Sequence, residues 1–155
     1  MDKTALIDAH RAALHATLDD LRATADAARA GTRVDGTHRP ENRGERAAVT
    51  SQGYLAHGLG QRMAELEEAL RLLDLVDPGP RDKVAVGAVV TLIDEDDRRR
   101  TVAVLPGGDG ARRAGLEVVS PASPLVAPFL GLEAGEVADV RRGSQTIEVE
   151  VEAIA

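Results

Sequence analysis

Asp77-Pro78-Gly79-Pro80 divides this chain in two. Two prolines and a glycine end any helix that reaches them, because proline lacks the N–H a helix needs and its ring clashes with the preceding turn. The hydrophobic period changes across that stop. Before it, Leu59, Met63, Leu66, Leu70 and Leu73 recur at alternating spacings of four and three, a heptad seam along one helix face. After it, Ile147, Val149, Val151 and Ala153 alternate with Glu148, Glu150 and Glu152, the pattern of a strand with one buried and one wet face.

Further towards the N-terminus lies a second seam. Ile7, Leu14, Leu21 and Ala28 recur every seven residues, with Leu18 and Ala25 between them; Arg11 interrupts the stripe. Gly31, Gly36 and Pro40 break the pattern, and the other seam follows, extended towards its N-terminus by Leu55. Two apolar stripes joined by a polar turn predict an antiparallel helical hairpin, since neither helix buries its stripe alone. Gly53, Gly58 and Gly60 weaken the start of the second helix by roughly 1 kcal/mol each relative to alanine. The expected segments are a coiled-coil hairpin over 1–76, a linker over 77–82 and a compact domain over 83–155.

Within that domain, strands are expected at 84–93, 101–105, 116–119, 137–140 and 146–154. Residues 94–100 form a charged hairpin turn. Ser123 and Pro124 suit the cap and first position of a short helix over 123–130, which Pro128 limits. Gly107-Gly108-Asp109-Gly110 reads as a flexible turn, too short and wrongly placed for a phosphate loop. The fold class is α+β: an N-terminal helical hairpin, then a small antiparallel β domain with one short helix.

Composition narrows the chemistry. The chain has 155 residues, a formal net charge of −7 and no cysteine. An acidic chain repels phosphate backbones, so direct nucleic-acid binding is disfavoured as the main function. One Phe, one Tyr and no Trp leave no aromatic platforms for stacking bases. Without cysteine there are no disulfides and no thiolate metal sites. No apolar stretch approaches the roughly 20 residues that span a bilayer, and Met1-Asp2-Lys3-Thr4 opens an amphipathic pattern rather than a signal peptide. A cytosolic protein is expected.

Candidate sites are few. Asp94-Glu95-Asp96-Asp97 lacks the length, glycine and terminal Glu of a calcium loop, and Arg98-Arg99-Arg100 offsets its charge. His10, His15 and His57 have no metal-ligand spacing. Ser123 has no base placed beside it in sequence, so it is a cap and not a nucleophile. Arg112-Arg113 and Arg141-Arg142 either contact an acidic partner surface or serve solubility.

Several short motifs, taken in order, resemble the Gre family of bacterial transcription elongation factors. Ser123-Pro124-Leu125 is similar to the motif that opens the helix of the family's FKBP-like C-terminal domain. Leu130-Gly131 and Gly135-Glu136-Val137 match the steps that follow it, and Val86-Gly87-Ala88-Val89-Val90-Thr91-Leu92 resembles the opening strand. In the hairpin, Glu41-Asn42, Ala47-Ala48 and Gln52-Gly53-Tyr54 resemble the family's tip and second helix, with Arg62 and Glu65-Leu66 beyond them. The resemblance covers nearly the whole chain.

It implies a factor that binds RNA polymerase, pushes the hairpin through the secondary channel and has no cofactor or catalysis of its own. A monomer is implied, touching nascent RNA only indirectly. Docking would fall to Ser123, Pro124 and Leu125 with Arg112 and Arg113. The tip, 37–45, would act at the polymerase's active-site magnesium through Glu41, with Asp35, Asn42 and Glu45 as further candidates. Cleavage-competent members of the family carry an Asp three residues before the Glu-Asn pair. Here that position is His38, a poor donor for magnesium, which prefers hard oxygen ligands. Two activities therefore stand: stimulation of polymerase's own cleavage of backtracked RNA, or channel blocking without cleavage. A coiled-coil adaptor unrelated to polymerase is the reading from a different class. Prolyl isomerisation is disfavoured, because such sites are lined with aromatics and this domain has only Phe129.

Overall fold

The computed structural model describes residues 1–32 and 43–155, with the side chains of 31, 32, 45, 48–52 and 56 outside the description. It contains two compact units: Ala13–Glu68, and Met1–Ala12 together with Ala69–Ala155. The element order is α+β, two long helices followed by a sheet. Helix α1 spans Lys3–Thr32 and α2 spans Arg43–Leu73.

In the Ala13–Glu68 unit the seams behave as their spacing predicts over most of their length. Leu14, Leu18, Ala25 and Leu66 are buried, while Leu21, Ala28, Leu59 and Met63 are half-buried. Arg22 reaches from α1 to Glu67 on α2 at 3.2 Å. The stripe stops short of its expected start, because Leu55 is 53% exposed and Tyr54 is 76% exposed.

In the other unit, Asp2 caps α1 by accepting the Ala5 N–H on Oδ1 at 3.1 Å, satisfying one of the free donors of the first turn. Leu6, Ile7, Leu70 and Leu73 are buried. The end of α2 runs into the predicted stop: Asp77 Oδ1 accepts the Gly79 N–H at 2.8 Å, and Lys3 Nζ donates to the Gly79 carbonyl at 2.9 Å. The interruption in the α1 stripe is resolved here. His10, one position earlier, turns inward with no exposed surface, while Arg11 stays at the margin and pairs with Asp74 at 3.1 Å.

The sheet has six strands: β1 Val89–Asp94, β2 Arg99–Val104, β3 Asp109–Arg113, β4 Leu116–Val119, β5 Val137–Arg142 and β6 Gln145–Ile154, in the order β3-β4-β2-β1-β6-β5. β1 and β2 form the expected hairpin, with Val90 opposite Val102. Asp94 Oδ1 closes its turn by accepting the N–H groups of Asp96 and Arg98. One face carries the core, which includes Val90, Leu92, Val102, Val104, Val119, Val151 and Phe129.

Four details differ from the sequence expectations. The sheet is mixed, because β2 and β4 run parallel, with Ala103 opposite Val118. The first strand begins at Val89 rather than 84, because Gly87 takes φ +89° and Ala88 N–H closes a turn onto Ala85. The Gly107-Gly108-Asp109-Gly110 stretch is not only a turn, since Asp109 opens β3. The expected helix over 123–130 shrinks to one 3-10 turn, Ala127–Phe129, with Pro128 inside it. Ser123 still organises that segment: its carbonyl accepts the N–H groups of Val126 and Ala127, and its Oγ accepts that of Leu125 at 3.3 Å.

Candidate docking groove

Strand alternation puts Leu92 of β1, Val140 of β5, and Ile147 and Val149 of β6 on one face of the sheet. The 3-10 turn packs against β5 on that side and brings Phe129, with Leu125 just before it. Together they floor a groove of about 240 Å³. Its rim is charged and comes from the β1–β2 hairpin and β5: Asp94, Arg98, Arg99, Arg100 and Arg142.

The rim arginines differ in how firmly they are held. Arg99 Nε meets both oxygens of Glu152, at 2.8 and 2.9 Å, and Arg100 grips Glu117 through Nη2 at 2.6 Å and Nε at 3.0 Å. Arg98 lies 3.9 Å from Asp96 and Arg142 lies 3.8 Å from Asp94, both beyond hydrogen-bond reach. The Asp94 carboxyl is held below the usual carboxylate range, chiefly by the N–H of Arg98 and also by that of Asp96, with the charges of Arg98 and Arg142 adding to it. It stays anionic near neutrality.

Beside the groove is a more polar hollow lined by Arg100, Asp109, Glu117, Ser120 and Ser123. Leu125 borders both. Of the expected docking residues, Leu125 is therefore at the groove, Ser123 faces its polar neighbour and Pro124 is exposed. Arg112 and Arg113 lie on β3, at the opposite edge of the sheet from β5. Arg112 is exposed, whereas the Arg113 side chain is 17% exposed and bound to Asp109 at 3.0 Å. Reading the sequence for motifs missed Phe129, Val140, Ile147 and Arg98 as groove residues, whereas Arg142 belongs to the Arg141-Arg142 pair already named as a candidate contact with an acidic partner surface. The strand alternation contained the first signal, but only the sheet order places those residues side by side.

The expected tip residues Asp35, His38, Glu41 and Asn42, and the side chain of Glu45, lie outside the described residues. Among the described residues no group of three or more His, Cys, Asp or Glu is placed to hold a metal ion, and no helix is long and apolar enough to cross a membrane.

Residues 79–155 match a family described as "Transcription elongation factor, GreA/GreB, C-term". The chain is also similar to solved structures. Thermus aquaticus Gfh1 is 21% identical over 95% of this chain and 94% of that one, with a TM-score of 0.42. GreA factor homolog 1 (Gfh1) of Thermus thermophilus is 20% identical over 94% of both chains, with a TM-score of 0.39. A prokaryotic transcription elongation factor GreA/GreB from Nitrosomonas europaea is 21% identical over 60% of this chain and 78% of that one, with a TM-score of 0.40. None of the curated proteins matches the chain in sequence.

Proposed function

Since the chain belongs to the GreA/GreB family of transcription elongation factors through residues 79–155, we propose that it docks on RNA polymerase by the Leu125–Phe129 groove and regulates elongation with its hairpin. The observation that carries this reading is the groove itself. Within the matched domain, an apolar recess meets the surface at Leu125, in the motif that the family resemblance singles out. Exposed apolar recesses in small domains mark sites of association. Helices α1 and α2, of 30 and 31 residues, support the reading of a hairpin that reaches into a channel. The segment between them, 33–42, carries Glu41.

In this reading the chain is not itself an enzyme. The magnesium ions and their chemistry belong to the polymerase, where they activate water and stabilise charge on phosphate oxygens. Glu41 supplies an oxygen donor of the kind that ion accepts. His38 stands where cleavage-competent relatives have Asp, and this favours channel occupation that slows elongation over strong stimulation of cleavage.

The test is transcript cleavage and elongation on a reconstituted backtracked complex, with the chain and with Glu41→Ala. Cleavage stimulated by the chain and lost in the variant establishes an active factor. Slower elongation without cleavage establishes a channel-blocking regulator. No effect, together with no polymerase binding, replaces both with the adaptor reading.

A further inference from the structure

The two edges of the sheet, β3 and β5, are not equally protected. An open strand edge presents unpaired N–H and C=O groups to any chain that can align with them. On β3 the register is irregular between Asp109 and Arg112, and the Arg113 side chain folds back onto Asp109. β5 has no such guard. Its residues, Val137–Arg142, pair with β6 in unbroken register and include neither proline nor glycine. Among the described residues no strand lies beyond it. The Val151 N–H donates to the Glu136 carbonyl, which sets the alternation: Ala138, Val140 and Arg142 turn their main-chain groups to β6, and Val137, Asp139 and Arg141 turn theirs outward. Those three outward residues are exposed. Asp139 lies opposite Glu148 on β6, a like-charge pair that costs stability. Among the described residues neither Asp139 nor Arg141 has an ion-pair partner, whereas Arg142 faces Asp94.

We propose that β5 is a self-pairing edge, at which two copies of this chain join antiparallel about a two-fold axis at Val140. In that register Asp139 of each copy lies opposite Arg141 of the other, main-chain bonds are exchanged at both of these pairs, and Val140 faces Val140. The neighbouring in-phase register sets Asp139 against Asp139 and Val137 against Arg141, so charge selects the first. In the selected register Arg141 of the second copy meets the Asp139–Glu148 pair and offsets its repulsion. Charge complementarity thus names the occupant: the edge carries both signs, in an order that complements itself. A short edge buries little area, so the dimer is weak and concentration-dependent. The proposal goes beyond the elongation reading and does not depend on it; it differs from the monomer that the family resemblance implies.

The experiment is sedimentation velocity of the full chain over a wide concentration range at low salt. The wild type is compared with Asp139→Arg, with Arg141→Asp, with the swap Asp139→Arg/Arg141→Asp, and with an equimolar mixture of the two single variants. Thermal unfolding first confirms that each variant folds, which the exposure of both side chains favours. Each single variant sets like charges at both opposed pairs and should weaken dimerisation by about tenfold or more. The swap restores both pairs and should return close to wild type. The mixture should form a dimer with one copy of each variant, because every opposed pair is then of opposite sign. A wild type that stays monomeric at the highest concentration overturns the proposal. So does a dimer that the single reversals leave intact, or one that neither the swap nor the mixture restores.

Discussion

His10 Nε2 lies 2.9 Å from the carbonyl oxygen of Pro106, a contact across 96 residues that joins the first turns of α1 to the loop after β2. The carbonyl can only accept, so Nε2 carries the proton and donates it. The other ring nitrogen, Nδ1, is buried with no hydrogen-bond partner among the described residues. Burial is the largest influence on this imidazole and holds its pKa below the ordinary 6.5; the Arg113 charge acts the same way, and Pro106 and Asp109 oppose it. Because the folded pKa is the lower one, the unfolded chain binds more protons as pH drops past 6.5. The stability from neutral His10 is fully present above that value and is lost as pH falls through the folded pKa.

Urea unfolding should therefore show a higher midpoint at pH 7.5 than at pH 5.5, and His10→Gln should flatten that difference. Asp77, Asp94 and Asp109 have carboxyls already held below 3.8, so their contribution is lost in a lower range and does not confuse the reading. Substituting Leu for His10 leaves the buried Pro106 carbonyl without this donor and should cost about 1–3 kcal/mol.

Gly108 is required by a close approach of two backbone segments. A Cβ there would lie 2.2 Å from the carbonyl carbon of Val119 and 2.4 Å from the amide nitrogen of Ser120. Backbone atoms in a paired strand cannot yield as a flexible side chain does. Gly108→Ala should destabilise by about 1–3 kcal/mol or more, seen as a lower urea midpoint and as faster amide exchange at Val118 and Val119.

Phe129 has no exposed surface and is the only phenylalanine. It touches both the core and the groove. Phe129→Ala should cost about 3–5 kcal/mol in equilibrium unfolding. Phe129→Leu should retain most of the stability and permit a polymerase-binding measurement. A binding loss in the Leu variant at full folding would tie the ring to docking.

Arg99 Nε donates a single, shared N–H to both oxygens of Glu152 across strands, and the side chains are 58% and 33% exposed. Solvent screens such a pair, so a double-mutant cycle with Arg99→Ala and Glu152→Ala should give a coupling of about 0.2–1 kcal/mol, smaller still at high salt. A coupling well above this range would show that the pair is more enclosed than its exposure indicates.

Much of this architecture is legible in short-range pattern. The heptad residues Leu14, Leu18, Ala25, Leu66, Leu70 and Leu73 are buried as their spacing requires. Helix α2 ends at Leu73, just ahead of the Asp77-Pro78-Gly79-Pro80 stop, and the alternation of 146–154 becomes β6. The candidate site was less legible. Leu125 was singled out by its motif, but the Arg98-Arg99-Arg100 run, which looked like an offset to neighbouring acids, supplies three of the rim residues. Arg112 and Arg113 drew notice as a basic pair and lie at the far edge of the sheet. Charge in a sequence does not say which edge of a sheet will carry it.

By itself, the sequence determined the two long helices, most of the strands, their order and the faces they bury, because period and proline chemistry act within a few residues along the chain. Tertiary structure alone decided the parallel pairing of β2 with β4, the recruitment of Asp109–Arg113 as an edge strand, the groove under Phe129 and the inward turn of His10 onto Pro106. Each of those depends on which distant segments meet. That is settled by closing loops and filling one shared core, and no local pattern encodes it.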